Sequence, residues 1–154
     1  MLKLPVVRQV GTAEVVYNQR TDKTIVQTPF LQVQGDWHDG ILLRVSFDSP
    51  GKSIAKPSFL TFTFSSAANT RVYADDRKLK IYLDGKEAFS DMAHYERGNI
   101  NGVIYLVSVR REVPYALFLK ITSLKNTRMQ LGPTEFELKA SDLEALRDIK
   151  RAIK

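Results

Sequence analysis

Cysteine is missing altogether from the 154 residues, which excludes disulfides, Cys-ligated zinc, iron–sulfur clusters and thiol chemistry. Histidine occurs only twice, too rarely for a multi-histidine metal centre within one chain. No apolar run approaches the ~18 residues that a membrane-spanning helix needs. There is no Gly/Ser linker, internal repeat or low-complexity tract, so no boundary divides the chain and a single domain over 1–154 is expected. What is present is ordinary for a globular domain: 44% apolar and 26% charged residues argue against disorder. Lys and Arg outnumber Asp and Glu by 23 to 17, giving +6, a mild bias toward acidic partners. The opening Met1-Leu2-Lys3-Leu4-Pro5-Val6-Val7 is too short and too soon interrupted for a secretory signal. That start fits a cytoplasmic protein or a mature form whose leader was trimmed.

The first two-thirds read as strands. Glu14 to Tyr17 leads through the polar turn Asn18 to Asp22 into Lys23–Val33, rich in β-branched residues. In Ile41–Phe47, the residues Leu43, Val45 and Phe47 share one face; in Phe59–Phe64, Leu60, Phe62 and Phe64 do the same. Such period-2 alternation marks strands with one buried and one wet face. Leu79–Leu83 alternates into Asp84-Gly85, a hairpin signal because both turn residues accept positive φ, with Lys86–Phe89 returning. Val103–Val109, apolar on both faces at its start, is the candidate central strand.

After Pro114 the period changes. Leu117, Phe118, Ile121 and Leu124 make one helical stripe, preferred here over a strand. Two short strands follow, Arg128–Leu131 and Glu135–Leu138, then a final helix with a capping box from Ser141 to Glu144 and a buried stripe of Leu143, Leu146, Ile149 and Ile153. Seven or eight strands plus two late helices predict a mainly β (α+β) fold: an antiparallel β-sandwich or open barrel with two C-terminal-third helices packed at an edge or end.

The turn Tyr17…Thr21-Asp22-Lys23-Thr24, the Leu83-Asp84-Gly85 hairpin, the run Met129-Gln130-Leu131-Gly132-Pro133-Thr134-Glu135-Phe136-Glu137-Leu138 and the following Leu143-Glu144-Ala145-Leu146-Arg147 resemble a diffuse group of uncharacterised small exported bacterial proteins. The resemblance implies an exported location, in the periplasm or at the cell surface. It carries no active site.

Two clusters could bear chemistry. Asp36-Trp37-His38-Asp39 lies between glycines in a loop, where a His between carboxylates is either a general base, a metal ligand, or part of a polar turn with Trp37 folded over the sandwich end. Asp91 and His94, if helical, would share a face at i, i+3 and could bridge a divalent cation, with Asp75, Asp76 or Asp84 completing the set only through folding. No nucleophile elbow, P-loop, dinucleotide fingerprint or zincin motif occurs, and no cofactor is implied. The basic residues Arg77, Lys78, Lys80, Lys86, Arg110, Arg111, Lys120, Lys125 and Arg128, with Tyr73, Tyr82 and Tyr105, could form a nucleic-acid surface, but they are interleaved with acids. The reading favoured is a non-enzymatic module that binds another protein or an extracellular ligand through Trp37, His38 and Asp39, with Tyr95 as a second choice. A metal-dependent or histidine-dependent hydrolase is the rival, and nucleic-acid binding comes third. If Trp37 anchors a ligand, Trp37→Ala leaves the melting temperature nearly unchanged; a large loss in thermal denaturation would assign it to the core.

Overall fold

Period-2 stretches dominate the backbone. A computed structural model describes residues 6–35, 40–66, 76–100 and 104–153. Among these run β1 (Val6–Val10), β2 (Ala13–Asn18), β3 (Lys23–Gln27), β4 (Leu31–Gln34), β5 (Ile41–Pro50), β6 (Phe59–Ser66), β7 (Lys78–Leu83), β8 (Lys86–Met92), β9 (His94–Ile100) and β10 (Ile104–Pro114). Helix α1 (Tyr115–Ser123) follows, then β11 (Thr127–Leu131), β12 (Thr134–Glu137) and helix α2 (Ala140–Ala152). The large sheet has the order β1-β2-β3-β5-β6-β10-β9, with β4 also paired to β5; the small sheet has the order β12-β11-β7-β8. Neither closes into a barrel. The fold is therefore the mainly β, two-sheet arrangement expected, with both helices in the last third.

Alternation decides which side chains meet. Leu43 and Val45 on β5 and Phe62 and Phe64 on β6 face Leu79, Ile81, Met129, Leu131 and Phe136 of the small sheet, all buried in one core. The Phe64 and Phe136 rings meet edge to face with centroids 6.0 Å apart, an arrangement favoured by the ring quadrupoles. Asp84 and Gly85 both take positive φ, so the β7–β8 hairpin forms where the sequence places it. β10 lies between β6 and β9, as an interior strand should.

Four local expectations need correction. Lys23–Val33 is not one strand: β3 and β4 both lie along β5, but between Gln27↔Ser46 and Leu31↔Leu43 the chain carries one extra residue. Pro29, which has no N–H to give the ladder, sits in that bulge. Thr28 repairs the gap, its N–H reaching Val45 O at 2.9 Å and its hydroxyl accepting the Val45 N–H at 3.0 Å. The final helix starts earlier than Ser141: Asp142 at its third residue accepts the Lys139 N–H at 3.0 Å, and Glu144 pairs instead with Arg147 and Arg151. Asp91 and His94 are not on a helix but on β8 and β9, either side of Ala93. β1 and β9 themselves were not anticipated.

The helices finish the cover. They pack on each other, and α2 also lies on β1, β2 and β3. Arg147 of α2 caps the end of α1, its guanidinium donating to Thr122 O at 2.9 Å and Leu124 O at 3.4 Å. Asp148, buried, takes both the backbone N–H and the hydroxyl of Thr12 at 2.8 Å on Oδ2, while Arg151 holds Oδ1. The β1–β2 turn is thereby pinned to α2. Gly11 in that turn has φ +60, and a Cβ there would run into the Asp148 carboxylate.

Burial works to raise the Asp148 pKa, but the two Thr12 donors and Arg151 outweigh it and hold the carboxyl below its ordinary value. A depressed pKa contributes stability that is present above the unfolded value, about 4, and is lost as pH falls through the folded one. Asp148→Asn is expected to cost about 1–3 kcal/mol at pH 7 and to shrink the loss of stability below pH 4. Urea denaturation of both proteins at pH 7 and pH 3 checks this; equal acid sensitivity would contradict it.

Candidate functional site

The outer face of the large sheet, away from the core, carries the feature that most needs explaining. Along the register Val7↔Val16 and Val16↔Ile25, three apolar side chains stand side by side on that face. Val7 is 58% exposed, Ile25 38% and Phe59 53%. Wet sheet faces normally carry polar residues at these positions, and contiguous exposed apolar surface marks contact sites. Ile25 and Phe59 line a groove of about 650 Å³ that runs past Ser46, Thr61 and Thr63 to Arg110 and Glu112. A second hollow of about 570 Å³ continues from Thr61, Arg110 and Glu112 to His94 and Met92.

Charge along this path is mixed. Lys23 lies 3.7 Å from Asp48, and Arg110 lies 3.4 Å from Glu96. Glu112 and His94 are exposed, and their side chains make no hydrogen bond or ion pair among the described residues. Phe30, 52% exposed, is turned to the outer side by the bulge and lies under the Arg44 guanidinium, 3.9 Å from its ring centre. The Arg44 Nε–H also donates to Thr28 O at 3.0 Å, which fixes that stack.

The residues singled out from sequence do not converge. Trp37, His38 and Asp39 lie outside the described residues, as do Asp75 and Tyr73. Tyr95 is half-buried on β9 opposite Val109 and packs against the core. Asp91 and His94 sit where the chain passes from the small sheet to the large one, a crossing pinned by Ala93 N–H on Arg77 O at 3.0 Å. Extended backbone replaces the i, i+3 face the metal reading needed. Asp91 Oδ2 instead meets Arg111 at 2.7 Å, and Oδ1 accepts the Met92 N–H at 2.8 Å. Arg111 also stands 5.8 Å over the Phe89 ring, and its Nε is buried with no acceptor. His94 is paired in register with Arg110, and Asp84 occupies the hairpin turn. No group of three or more metal-ligating side chains occurs among the described residues.

Ile25 and Phe59 were missed because each was read only as part of a strand, and Val7 because no strand was read at the start of the chain. A signal existed: Val6-Val7, Val15-Val16, Ile25-Val26 and Phe59-Leu60 are adjacent apolar pairs. Within a strand, one member of each pair must face outward.

No family model matches the chain, and no curated protein does either. The solved structure of invasion associated protein B from Bartonella henselae is similar over 95% of this chain and 99% of that one, at 9% identity and a TM-score of 0.44.

With Asp91 committed to Arg111, His94→Ala is expected to change stability by less than about 0.5 kcal/mol and to leave the response of the melting temperature to added Zn²⁺ unchanged. A zinc-dependent rise that disappears in the variant would restore the metal reading.

Proposed function

We propose that this chain is a non-enzymatic binding module whose large sheet presents its outer face to another protein. One observation carries the reading: Ile25 and Phe59 stay exposed in one groove, and Val16 and Val7 continue the apolar row from Ile25 to β1, on a face with no second layer over it among the described residues. A large apolar side chain gains roughly 1.5–3 kcal/mol when fully withdrawn from water, so Ile25 and Phe59 in one groove are a useful anchor. Arg110 and Glu112 beside them supply charges of both signs, the arrangement that gives an interface register and selectivity. An exported location, which the sequence resemblance implies, is part of the same proposal.

The scaffold suits that role mechanically. Strands β3, β5, β6 and β10 present the patch from the middle of a sheet whose other face is packed, so binding needs no rearrangement of the core. Loops are not required to order first, which spares the partner that entropy.

A photo-crosslinking residue placed at Phe59 is expected to give discrete adducts in cells of the natural source. The same residue at Lys86, on the far sheet, should not give them, and Ile25→Glu should abolish the Phe59 adducts while leaving the melting temperature unchanged. Adducts indifferent to Ile25→Glu, or equal at both positions, would refute the proposal.

A further inference from the structure

The opposite side of β1, β2 and β3 holds a smaller cavity that the binding face does not use. Arg8, Val15, Tyr17, Gln19, Thr24 and Lys52 line an open hollow of about 250 Å³. Register places Arg8 opposite Val15 and Tyr17 opposite Thr24, so these four point to the same side, away from Val7, Val16 and Ile25. The walls are Val15, buried, and the half-buried Tyr17 ring.

Both formal charges in the lining are positive. Arg8 and Lys52 are exposed, and neither has an ion pair among the described residues. Lys52 lies 5.5 Å over the Tyr17 ring. The loop that carries it is fastened at several points: Gly51 N–H to Asp22 O at 2.8 Å, the Thr24 hydroxyl to Gly51 O at 2.7 Å, the Ser49 hydroxyl to Ser53 O at 2.8 Å, and Ala55 N–H to the Ser49 hydroxyl at 2.9 Å. Gly51 itself takes φ +71. Such a loop fixes the backbone from which Lys52 reaches over the aromatic wall.

Apart from the exposed Gln19 amide, the polar groups around the cavity are otherwise committed. Tyr17 donates its hydroxyl to Asp22 Oδ1 at 2.8 Å, which occupies the carboxylate at that turn. Thr24 is spent on Gly51. The charge that remains unpaired is cationic: two side chains above a short apolar cleft, with the neutral Gln19 amide beside them.

We propose that this cavity is a binding site for a small monocarboxylate with a flat or short apolar body. The carboxylate sits between Arg8 and Lys52, and the body lies along Val15 and the Tyr17 ring. Size sets the class. An engineered cavity of ~150 Å³ accommodates benzene, so this one takes a ring plus a carboxylate, on the order of ten non-hydrogen atoms. It is below the ~300–1,000 Å³ typical of drug-sized sites. A ligand of that size binds with a Kd of about 1 mM. The carboxylate matters because Arg offers paired N–H donors and Lys a point charge, and both lose water on closing over it.

The test uses the full chain and three probes: benzoate, the neutral benzamide and inorganic phosphate, each titrated to 10 mM while amide NMR shifts are followed. Benzoate is expected to give saturable shifts centred on Val15, Tyr17, Gln19 and Thr24. Benzamide, lacking the charge, and phosphate, lacking the apolar body, are each expected to bind at least tenfold more weakly. Lys52→Met and Arg8→Met should each weaken benzoate about tenfold at an unchanged melting temperature, whereas Tyr17→Phe should retain binding because the ring stays. The site is overturned if benzoate gives no shifts by 10 mM, if benzamide or phosphate matches it, or if neither cation variant changes its affinity. None of these readouts depends on Phe59 or Ile25, so the outer-face interaction stands or falls separately.

Discussion

Seven strands abreast in the large sheet span about 29 Å at the usual spacing, whereas the four strands of the small sheet span about 14 Å. A sheet this wide cannot be covered on its inner face by the other sheet alone. The remainder falls to the helices: α2 lies over β1, β2 and β3, and α1 beside β6 and β10. That division explains where the two helices lie, and why a single core includes residues of both sheets and both helices. It also fixes what is left over. No element among the described residues lies on the outer face of the large sheet, so the apolar side chains there have water for company.

Dividing the cover in this way creates a joint, and the joint is polar. Where α2 meets the β1–β2 turn, Asp148 is buried yet receives two donors from Thr12 and the Arg151 guanidinium. A buried carboxylate without such partners would be strongly destabilising. Satisfied, it sets which turn of the helix faces which hairpin, a selection that Leu146 and Ile149 alone would make less sharply. Arg147 works similarly at the other joint, accepting no bonds but closing the open carbonyls of α1.

Much of this architecture was legible from period alone. Leu43-Val45-Phe47 and Leu60-Phe62-Phe64 alternate cleanly, and Asp84-Gly85 can hardly be anything but a tight hairpin, so strands and hairpin fell where the pattern put them. What failed was whatever depends on partners distant in sequence. The bulge at Pro29 is visible only against β5, since an extra residue is extra only relative to a neighbour. Asp91 and His94 looked like a helical pair because sequence does not reveal that the chain changes sheets at Ala93. Ser141 and Glu144 have the capping-box spacing, yet Asp142 reaches Lys139 first, and Glu144 is drawn to Arg151 at 2.8 Å instead. The exposed row at Val7 and Ile25 was written in the adjacent apolar pairs, but assembling it requires the register of β1 on β2 and β2 on β3.

The same dependence on distant partners bears on whether a reaction centre is hidden here. Active sites keep polar groups poised: titrating groups moved by desolvation or by like charge, with no structural duty. Among the described residues the groups whose titration is displaced are Tyr17, Glu144, Asp148 and Arg151. Each is engaged in a turn or a helix joint that the fold needs. Tyr17 closes on Asp22, while Arg151 joins Glu144 to Asp148. Two buried hydroxyls follow suit, Thr28 completing the β5 ladder and Ser49 tying down the loop after it, whereas the buried Thr127 hydroxyl has no partner among the described residues. Among the described residues much of the polar chemistry thus holds sheets and turns in place, while the groove along β3, β5, β6 and β10 and the hollow beside β1, β2 and β3 lie on opposite sides of the large sheet.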